Sequence, residues 1–478
     1  MLRWRSPSMS AEADFLKAYV EALEQGTAAA FIGAGLSIAA DLPDWRKLLR
    51  GLAGELGLDV DREHDLPAVA QFYLNRFANN RGRLAQLVRS TFRRPATPTE
   101  NHRLLARLPL EHVWTTNYDD LLERAWELQG RRLDVKSRNA DLTTSDPEAH
   151  AVLYKMHGTA SQPDEIVLTT DDYEHYRMSR PGFLQVLGSD LITRTFLFLG
   201  LSFTDPNLAY LMGTLRASFE SVQRQHFTIL KRPVGDYDAR RFDHFTTDLE
   251  RYGVRTVVVH DYADITRLLE RIGRASAQRN VLVSGTYPDD GDAAERGFIE
   301  AVARGVGRVI ARRGMSLVSG FGRSVGSGAI VGMLDEIKGR SDVPMSTLGR
   351  RLLLRPVPKA APDGVELGEF RRRYREELIA QSGVVIVIGG LKDGAMSSGV
   401  LQEFEMAVAQ RKLVLPIAAT GHAARQIYER ILARPEYYLA ADMDLGLFRR
   451  FGPETDTLDG IVAAVDACLA LVVDAAPV

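Results

Sequence analysis

The sequence predicts an α/β protein with two domains, each built on a largely parallel sheet covered by helices. Its 478 residues are too many for one ordinary domain. Short apolar runs alternate with longer stretches of helical periodicity, a pattern typical of parallel sheets buried on both faces. Glycine-rich turns follow several of these runs in both halves, at the strand ends where open α/β sheets bind ligands.

Composition and charge restrict the class of protein. Hydrophobic residues make up 45% and charged residues 26%, as in soluble globular proteins. The formal net charge of -2 gives no global attraction for nucleic acid or an anionic membrane. The single cysteine, Cys468, excludes an intrachain disulfide and a four-cysteine zinc site, and its apolar surroundings predict a packed core position. Without a signal peptide or an apolar run of about 18 residues, we expect a cytoplasmic protein.

The first half supplies the strands of one sheet. Apolar runs predict strands at residues 28–32, 112–115, 152–156, 196–199, 227–230 and 254–259. Helical periodicity fills segments between them, as at residues 120–128 and 208–219. We place the first Rossmann-like domain at residues 10–276.

A short polar stretch at residues 275–279 precedes a fresh apolar run and marks the predicted domain boundary. Further strands are predicted at residues 281–283, 316–318, 352–354, 384–388 and 413–417. Helices are predicted at residues 293–312, 327–337, 370–380 and 401–410. The second Rossmann-like domain is therefore placed at residues 280–475.

Four polar or glycine-rich clusters end four of the first-half strands. They are Gly33-Ala34-Gly35-Leu36-Ser37, Thr115-Thr116-Asn117-Tyr118-Asp119, Lys155-Met156-His157-Gly158 and Leu199-Gly200-Leu201-Ser202. Taken singly, each is typical of an ordinary turn or a helix cap. Because parallel strands end at the same edge of a sheet, the four together predict one ligand crevice.

In order and type, these clusters and the segment Leu42-Pro43-Asp44-Trp45-Arg46 resemble the sirtuin family over residues 28–207. Without that resemblance, the segment is interpreted as a helix start, with Pro43 and Asp44 near the cap. The resemblance implies that Asn117 lies against the nicotinamide ribose of NAD and that His157 is a general base. The NAD-binding residues that it implies are Gly33, Ala34, Gly35, Ser37, Asp44, Asp119, Gly200 and Ser202.

These residue types suit cleavage of the bond between nicotinamide and ribose. The transition state resembles an oxocarbenium ion, an amide oxygen can orient water, and a histidine can accept the proton. Sirtuin deacylases carry a four-cysteine zinc module that Cys468 alone cannot build, and Thr116 and Tyr118 replace residues usual in their motif. We therefore expect a metal-free NAD+ hydrolase. An NAD-dependent protein deacylase or ADP-ribosyl transferase, and a non-catalytic nucleotide-sensing scaffold, remain alternatives.

Glycine-rich turns also end three strands of the second half. The small residues of these turns can admit phosphates, and Lys392 adds a cation. The turns are Ser284-Gly285-Thr286, Gly320-Phe321-Gly322 and Gly389-Gly390. Plain turns of a Rossmann-like fold are the alternative. Arg371 and Arg375 lie one helical turn apart and could clamp a diphosphate, although charge runs are usually solvated faces.

The second-half motifs, with Glu403-Phe404-Glu405, resemble the SLOG family over residues 280–419. The resemblance implies that this domain senses a nucleotide-derived ligand. The activator-binding residues would be Ser284, Gly285, Thr286, Gly320, Phe321, Gly322, Arg371, Arg375, Lys392 and Glu403.

A sirtuin-like domain followed by a SLOG domain, at about this length, resembles the effectors of the Thoeris anti-phage defence system. The resemblance implies an NAD+ hydrolase that a cyclic ADP-ribose isomer activates through the SLOG domain. It further implies a TIR-domain partner protein that makes the isomer, and a homo-tetramer or larger assembly.

Overall fold

The structure, a computed structural model, describes residues 7–92, 94–203, 205–219, 224–339, 348–361, 364–439, 443–455 and 457–474. It divides into two compact units, residues 1–273 and 274–478. Each unit contains a parallel sheet covered by helices, which confirms the predicted fold class. The predicted end of the second domain, residue 475, lies outside the described residues. Across the described ranges, every helix is too short or too polar to cross a bilayer.

The first unit is built on a seven-stranded sheet in the order β3-β4-β2-β1-β5-β6-β7. The strands are β1 (Ala28–Ile32), β2 (His112–Thr115), β3 (Leu133–Lys136), β4 (Ala151–Lys155), β5 (Thr195–Leu199), β6 (His226–Lys231) and β7 (Val254–Val259). The helices are α1 (Pro7–Glu24), α2 (Trp45–Glu55), α3 (Leu66–Arg76), α4 (Gly82–Phe92), α5 (Glu100–Arg107), α6 (Leu121–Glu127), α7 (Thr170–Ser179), α8 (Pro181–Thr193), α9 (Pro206–Phe219), α10 (Asp236–Glu250) and α11 (Tyr262–Gln278).

Strand β1 lies at the centre of this sheet and is buried along its whole length. Ile32 pairs in parallel with Thr115 of β2 on one side and with Leu199 of β5 on the other. The chain leaves β1 toward β2, whereas β5, β6 and β7 extend the sheet the other way. A topological switch point therefore lies between β1 and β5, where doubly wound folds bind ligands.

Two features of the first unit did not follow from the sequence pattern. Strand β3 was not predicted, because this short edge strand is not an apolar run and carries Asp134 and Lys136, which form a 2.8 Å ion pair. The polar stretch at residues 275–279, where the sequence places the domain boundary, lies almost entirely within α11, which continues to Gln278. Ala275 and Ala277 are buried, and burial of these small residues favours the helix.

The second unit is built on a five-stranded sheet in the order β10-β9-β8-β11-β14, with a separate hairpin of β12 and β13. The strands are β8 (Asn280–Thr286), β9 (Ser316–Ser319), β10 (Leu352–Leu354), β11 (Val384–Gly389), β12 (Leu391–Lys392), β13 (Ala395–Met396) and β14 (Leu413–Ile417). The helices are α12 (Ala293–Arg312), α13 (Val325–Lys338), α14 (Leu348–Arg351), α15 (Leu367–Ala380), α16 (Ser398–Ala409), α17 (His422–Ala433), α18 (Pro435–Tyr438), α19 (Leu445–Arg449) and α20 (Leu458–Asp474).

In this sheet too, the central strand marks the change of direction: β9 and β10 lie on one side of β8, and β11 and β14 on the other. Gly285 of β8 pairs with Ile388 of β11, so the glycine-rich ends of both strands are level. Cys468 is buried in the core of this unit, as predicted, and burial raises the pKa of its thiol to about 11.

Candidate functional site

Asn117 follows β2 and lies at the centre of a buried hydrogen-bond network. Its backbone N–H donates to Oγ1 of Thr115 at 2.9 Å. Its side-chain amide donates to the carbonyl of Gly33 at 3.2 Å and to Oγ of Ser37 at 3.1 Å. The Ser37 hydroxyl in turn donates to Oδ2 of Asp119 at 2.9 Å. Ser37, Asn117 and Asp119, all predicted site residues, are thus brought together.

The side-chain oxygen of Asn117 is buried, and no described residue donates a hydrogen bond to it. Leaving such an oxygen unpaired costs about 1–3 kcal/mol, so buried acceptors of this kind are normally paired by protein, water or ligand. Both amide hydrogens already have protein acceptors. The oxygen is therefore the atom that Asn117 can offer to a bound hydroxyl or to water.

Asp119 fastens this network to the next strand. Its Oδ1 accepts the backbone N–H of Leu121 at 3.1 Å, and its main-chain carbonyl accepts Nζ of Lys155. Lys155 is fully buried and also lies 2.7 Å from Oε1 of Glu123. Burial raises the pKa of the Asp119 carboxyl above its ordinary value, and the charge of Lys155 opposes that shift. The lysine thus supports the loop that carries Asn117.

The glycines of the two switch-point loops contact each other. The N–H of Gly33 donates to Leu199 O at 2.8 Å, and that of Gly35 to Gly200 O at 3.0 Å. A Cβ on Gly33 would lie 2.4 Å from Gly200 O. Gly200 has a φ of +68°, and a Cβ there would lie 2.5 Å from the nitrogen of Leu36. Contact between the loops therefore requires these glycines even without a phosphate.

Three further predicted NAD-binding residues are Asp44, Ala34 and Ser202. Asp44 caps α2 by accepting the backbone N–H of Lys47 at 2.8 Å, which is the purely structural role considered for it. Ala34 begins a short 3-10 turn and is half-buried, and Ser202 is exposed beyond β5. A role for these three in binding NAD stays a prediction.

His157 follows β4 at the same level as Asn117. Thr115 and Lys155 are parallel partners, and the two site residues each come two positions later. The His157 side chain is 1% exposed, with Nε2 3.1 Å from Oδ2 of Asp205. Neither ring nitrogen forms a hydrogen bond with a described residue; Nε2 lies close to the carboxylate, whereas Nδ1 has no such neighbour in the contacts described. An unpaired, buried imidazole nitrogen is suited to accept a proton.

Asp205 is a site residue that the sequence analysis missed. Its Oδ1 accepts the N–H groups of Asn207 and Leu208 at 3.0 and 2.9 Å, and its Oδ2 accepts the hydroxyl of Tyr173 at 3.2 Å. Burial raises the pKa of this carboxyl, but His157 and the hydrogen bonds outweigh burial and hold the pKa below its ordinary value. The Asp-Pro pair after β5 is visible in the sequence, although by itself it is typical of a helix cap.

The described residues contain no group of three or more His, Cys, Asp or Glu side chains that could hold a metal ion.

The second unit holds its own partly buried polar cluster at the end of β8. Oγ of Ser284 donates to Oε2 of Glu403 at 2.5 Å, and Nε of Arg375 lies 3.3 Å from Oε1 of the same carboxylate. Burial raises the pKa of the Glu403 carboxyl, and Ser284 and Arg375 partly offset that effect. Three predicted activator-binding residues are thus in contact.

The glycine-rich turns of this unit also meet. Gly285 has a φ of +155°, and a Cβ there would lie 2.0 Å from the carbonyl oxygen of Ile388. A Cβ on Gly322 would lie 2.1 Å from Gly285 O. Phe321 has a φ of +58° and is 47% exposed. Of the other predicted residues, Thr286 pairs with Gly389 on β11, and Gly320 follows β9.

The joint arginine clamp is not formed in this structure. Nε of Arg371 donates to the carbonyl of Pro358 at 2.9 Å, whereas Nη1 of Arg375 donates to Oε1 of Gln402 at 3.2 Å. The spacing does place both residues on one helix face, but each long side chain reaches a different acceptor. A diphosphate bound by both arginines would have to replace the hydrogen bonds of Arg371 to the backbone carbonyls of Pro358 and Lys359.

Lys392 is exposed on the small hairpin of β12 and β13. Asp393 and Gly394 form its turn with φ values of 50° and 76°, the positive angles of a tight two-residue hairpin. No contact recorded among the described residues joins Lys392 to the Glu403 carboxylate. Its predicted role in ligand binding stays a prediction.

Comparison with known families assigns both units. The family described as "SIR2-like domain" matches residues 111–257, a segment that includes Asn117, His157 and Asp205. The family described as "Sir2- and TIR-associating SLOG family" matches residues 264–470, which include Ser284, Arg375 and Glu403. Both predicted domain types are therefore confirmed.

Whole-chain comparison gives the family. The NAD(+) hydrolase ThsA of Bacillus cereus (strain MSX-D12) is 35% identical over 469 residues, covering 94% of this chain and 96% of the relative. The NAD(+) hydrolase ThsA of Cytobacillus dafuensis is 36% identical over 448 residues, covering 88% and 89%. The defense-associated sirtuin 2 of Bacillus subtilis is 27% identical over 215 residues, covering 42% of this chain and 20% of that protein. On this near-complete match, the chain belongs to the ThsA family of NAD(+) hydrolases.

Proposed function

We propose that this chain hydrolyses NAD+ to nicotinamide and ADP-ribose as a defence effector, using Asn117 and His157 as its catalytic residues. The observation that carries the proposal is the buried, unpaired side-chain oxygen of Asn117 at the same sheet edge as the unpaired Nδ1 of His157, as judged over the described residues. The relatives named NAD(+) hydrolase support the same chemistry.

The residues present suit this reaction. Nicotinamide is a cation while bonded to ribose and leaves as a neutral molecule, so no general acid is required. The Asn117 oxygen orients the attacking water or a ribose hydroxyl, and His157 accepts the proton that the attacking oxygen releases. The loop of Gly33, Ala34, Gly35 and Ser37 would hold the pyrophosphate near the switch point, with Gly200 on its other side.

We further propose that a cyclic ADP-ribose isomer binds the second unit and activates the first. Ser284, Arg375 and Glu403 supply a hydroxyl, a cation and a carboxylate at the end of the central strand, a combination that suits a ribose diphosphate. The family name that includes association with TIR supports a TIR-domain protein as the source of the isomer. A homo-tetramer or larger assembly belongs to the same proposal.

One assay tests the proposal against its alternatives. The purified chain is incubated with NAD+, with and without cyclic ADP-ribose isomers, and the products are separated by chromatography. We expect equal amounts of nicotinamide and ADP-ribose without any acceptor. O-acetyl-ADP-ribose formed from an acetylated peptide would indicate the deacylase instead. An absence of NAD+ turnover with every isomer would overturn the hydrolase.

A further inference from the structure

The His157 ring is enclosed by one carboxylate and two phenols. Nε2 lies 3.1 Å from Oδ2 of Asp205, and the side chains of the two residues are 1% and 9% exposed. The ring of Tyr173 meets the imidazole edge-on with centroids 5.5 Å apart, and that of Tyr176 lies at 6.3 Å. The carboxylate and the imidazole therefore interact with little screening by water.

The Asp205 carboxylate is held in one orientation. Its Oδ1 accepts two backbone N–H groups of the first turn of α9, from Asn207 and Leu208. Its Oδ2 accepts the Tyr173 hydroxyl at 3.2 Å and is the oxygen that faces the imidazole. Turning away from His157 would break these hydrogen bonds, so the contact is built into the fold.

From these contacts we propose that Asp205 is a positioning residue that keeps a proton on Nε2 of His157 and leaves Nδ1 as the proton acceptor. Nε2 lies 3.1 Å from the carboxylate oxygen, so a lone pair there would be repelled by the negative charge and the tautomer with hydrogen on Nε2 is favoured. The carboxylate also stabilises the ring once it is protonated. The inference rests on the proposed function for its role in the reaction.

The proton and electrons of that reaction balance. The attacking water forms a bond to C1′ of the ribose and gives one proton to Nδ1 of His157. The electron pair of the broken bond between C1′ and nitrogen stays on nicotinamide, which leaves neutral. The imidazolium, stabilised by Asp205, then releases its proton to solvent.

The other titratable groups around His157 and Asp205 do not change charge near neutral pH. Burial raises the pKa of the phenols of Tyr118, Tyr173 and Tyr176 above the ordinary value of 10, so all three stay neutral. Beyond them, Arg81 pairs with Asp172 at 2.7 Å. Arg180 remains a cation although burial lowers its pKa. These neighbours therefore add no charge change of their own to the environment of His157.

The first test is NMR titration of the ¹³C-labelled histidine rings in the full chain. The His157 signal is assigned by its loss in His157→Gln. We expect its titration midpoint to fall by about 1–3 pH units in Asp205→Asn, because that variant removes the carboxylate charge. Asn caps helices about as well as Asp, so α9 keeps its cap. An unchanged midpoint would overturn the inference, whether or not the protein cleaves NAD+.

The second test is the pH profile of NAD+ hydrolysis. In Asp205→Asn we expect kcat to fall about tenfold or more, with little change in KM for NAD+ and with the acid limb moved to lower pH. Asp65→Asn is the matched control, since Asp65 caps α3 through a 3.1 Å bond to Ala68 N in an exposed position. If Asp205→Asn and Asp65→Asn give the same profile, Asp205 is only a helix cap. A wild-type chain without turnover would overturn the proposed function and leave the NMR test decisive.

Discussion

The side-chain amide of Asn117 donates a 3.1 Å hydrogen bond to the hydroxyl of Ser37. A residue after β1 thereby sets the orientation of a residue after β2. Because the amide group points to Ser37 and to the carbonyl of Gly33, the Asn117 oxygen has to point away from both. The β1 loop thus orients the side-chain amide of Asn117, the residue proposed as catalytic.

Asn117→Ala should lower kcat for NAD+ hydrolysis by about 100-fold or more, because it removes the oxygen that orients the attacking group. Ser37→Ala should lower kcat by a smaller factor, since Asn117 keeps its bond to Gly33. Nicotinamide release measures both effects, and thermal unfolding shows whether the fold is kept. Asn75→Ala, an exposed change on α3, is the control. Full activity of Asn117→Ala would reject its catalytic role.

Gly200→Ala should destabilise the first unit by about 1–3 kcal/mol, because it combines a positive φ with a Cβ 2.5 Å from the nitrogen of Leu36. Gly51→Ala on α2 is the matched control. Gly51 is exposed, and apart from its own helix backbone and chain neighbours no described atom lies within 4 Å of its Cβ position. Alanine there should stabilise the helix by about 0.5–1 kcal/mol. Urea unfolding of both variants measures the difference. If both variants change the free energy of unfolding equally, the contact between the β1 and β5 loops does not require glycine at position 200.

Arg375→Ala should raise the concentration of cyclic ADP-ribose isomer needed for half-maximal activation by about tenfold, because a charged hydrogen bond contributes about 1.5–3 kcal/mol. Arg372→Ala is the control on the same helix, since Arg372 forms an exposed pair with Glu376 at 2.7 Å. The measurement is NAD+ turnover against isomer concentration. Identical activation curves for the two variants would place the activator elsewhere.

His226 should make the first unit sensitive to acid. Burial, with the charge of Arg224, lowers the pKa of this histidine from 6.5 to about 3. Below pH 6.5, His226 therefore binds a proton in the unfolded chain but stays neutral in the folded chain. The free energy of unfolding consequently decreases as the pH falls toward 3. His226→Gln keeps an acceptor for the N–H of Phe196 and removes the titration.

Between pH 6.5 and 5, the wild type should lose about 2 kcal/mol more of its unfolding free energy than His226→Gln. Tryptophan fluorescence in urea measures this loss in the first unit, because all four tryptophans precede residue 127. His64→Gln, an exposed change, should titrate like the wild type. Parallel curves for wild type and His226→Gln would contradict the prediction.

Local sequence determined most of the fold. Fully buried strands such as β1, β5 and β11 are continuous apolar runs, so their positions could be predicted without any tertiary information. The edge strand β3 was missed because a half-exposed strand needs polar residues. The same limit applies to the end of α11, whose alanines are buried only by the folded chain.

The sequence also placed Asn117 and His157 at the ends of strands, because each apolar run stops where its buried strand ends. It could not show that Asp205 faces His157, that Gly33 touches Gly200, or that Arg371 and Arg375 reach different acceptors. Each of these facts depends on strand order and on the direction of side chains that are far apart in the chain. Those contacts form only when the parallel sheet brings the strand ends together, so the tertiary structure alone decided them.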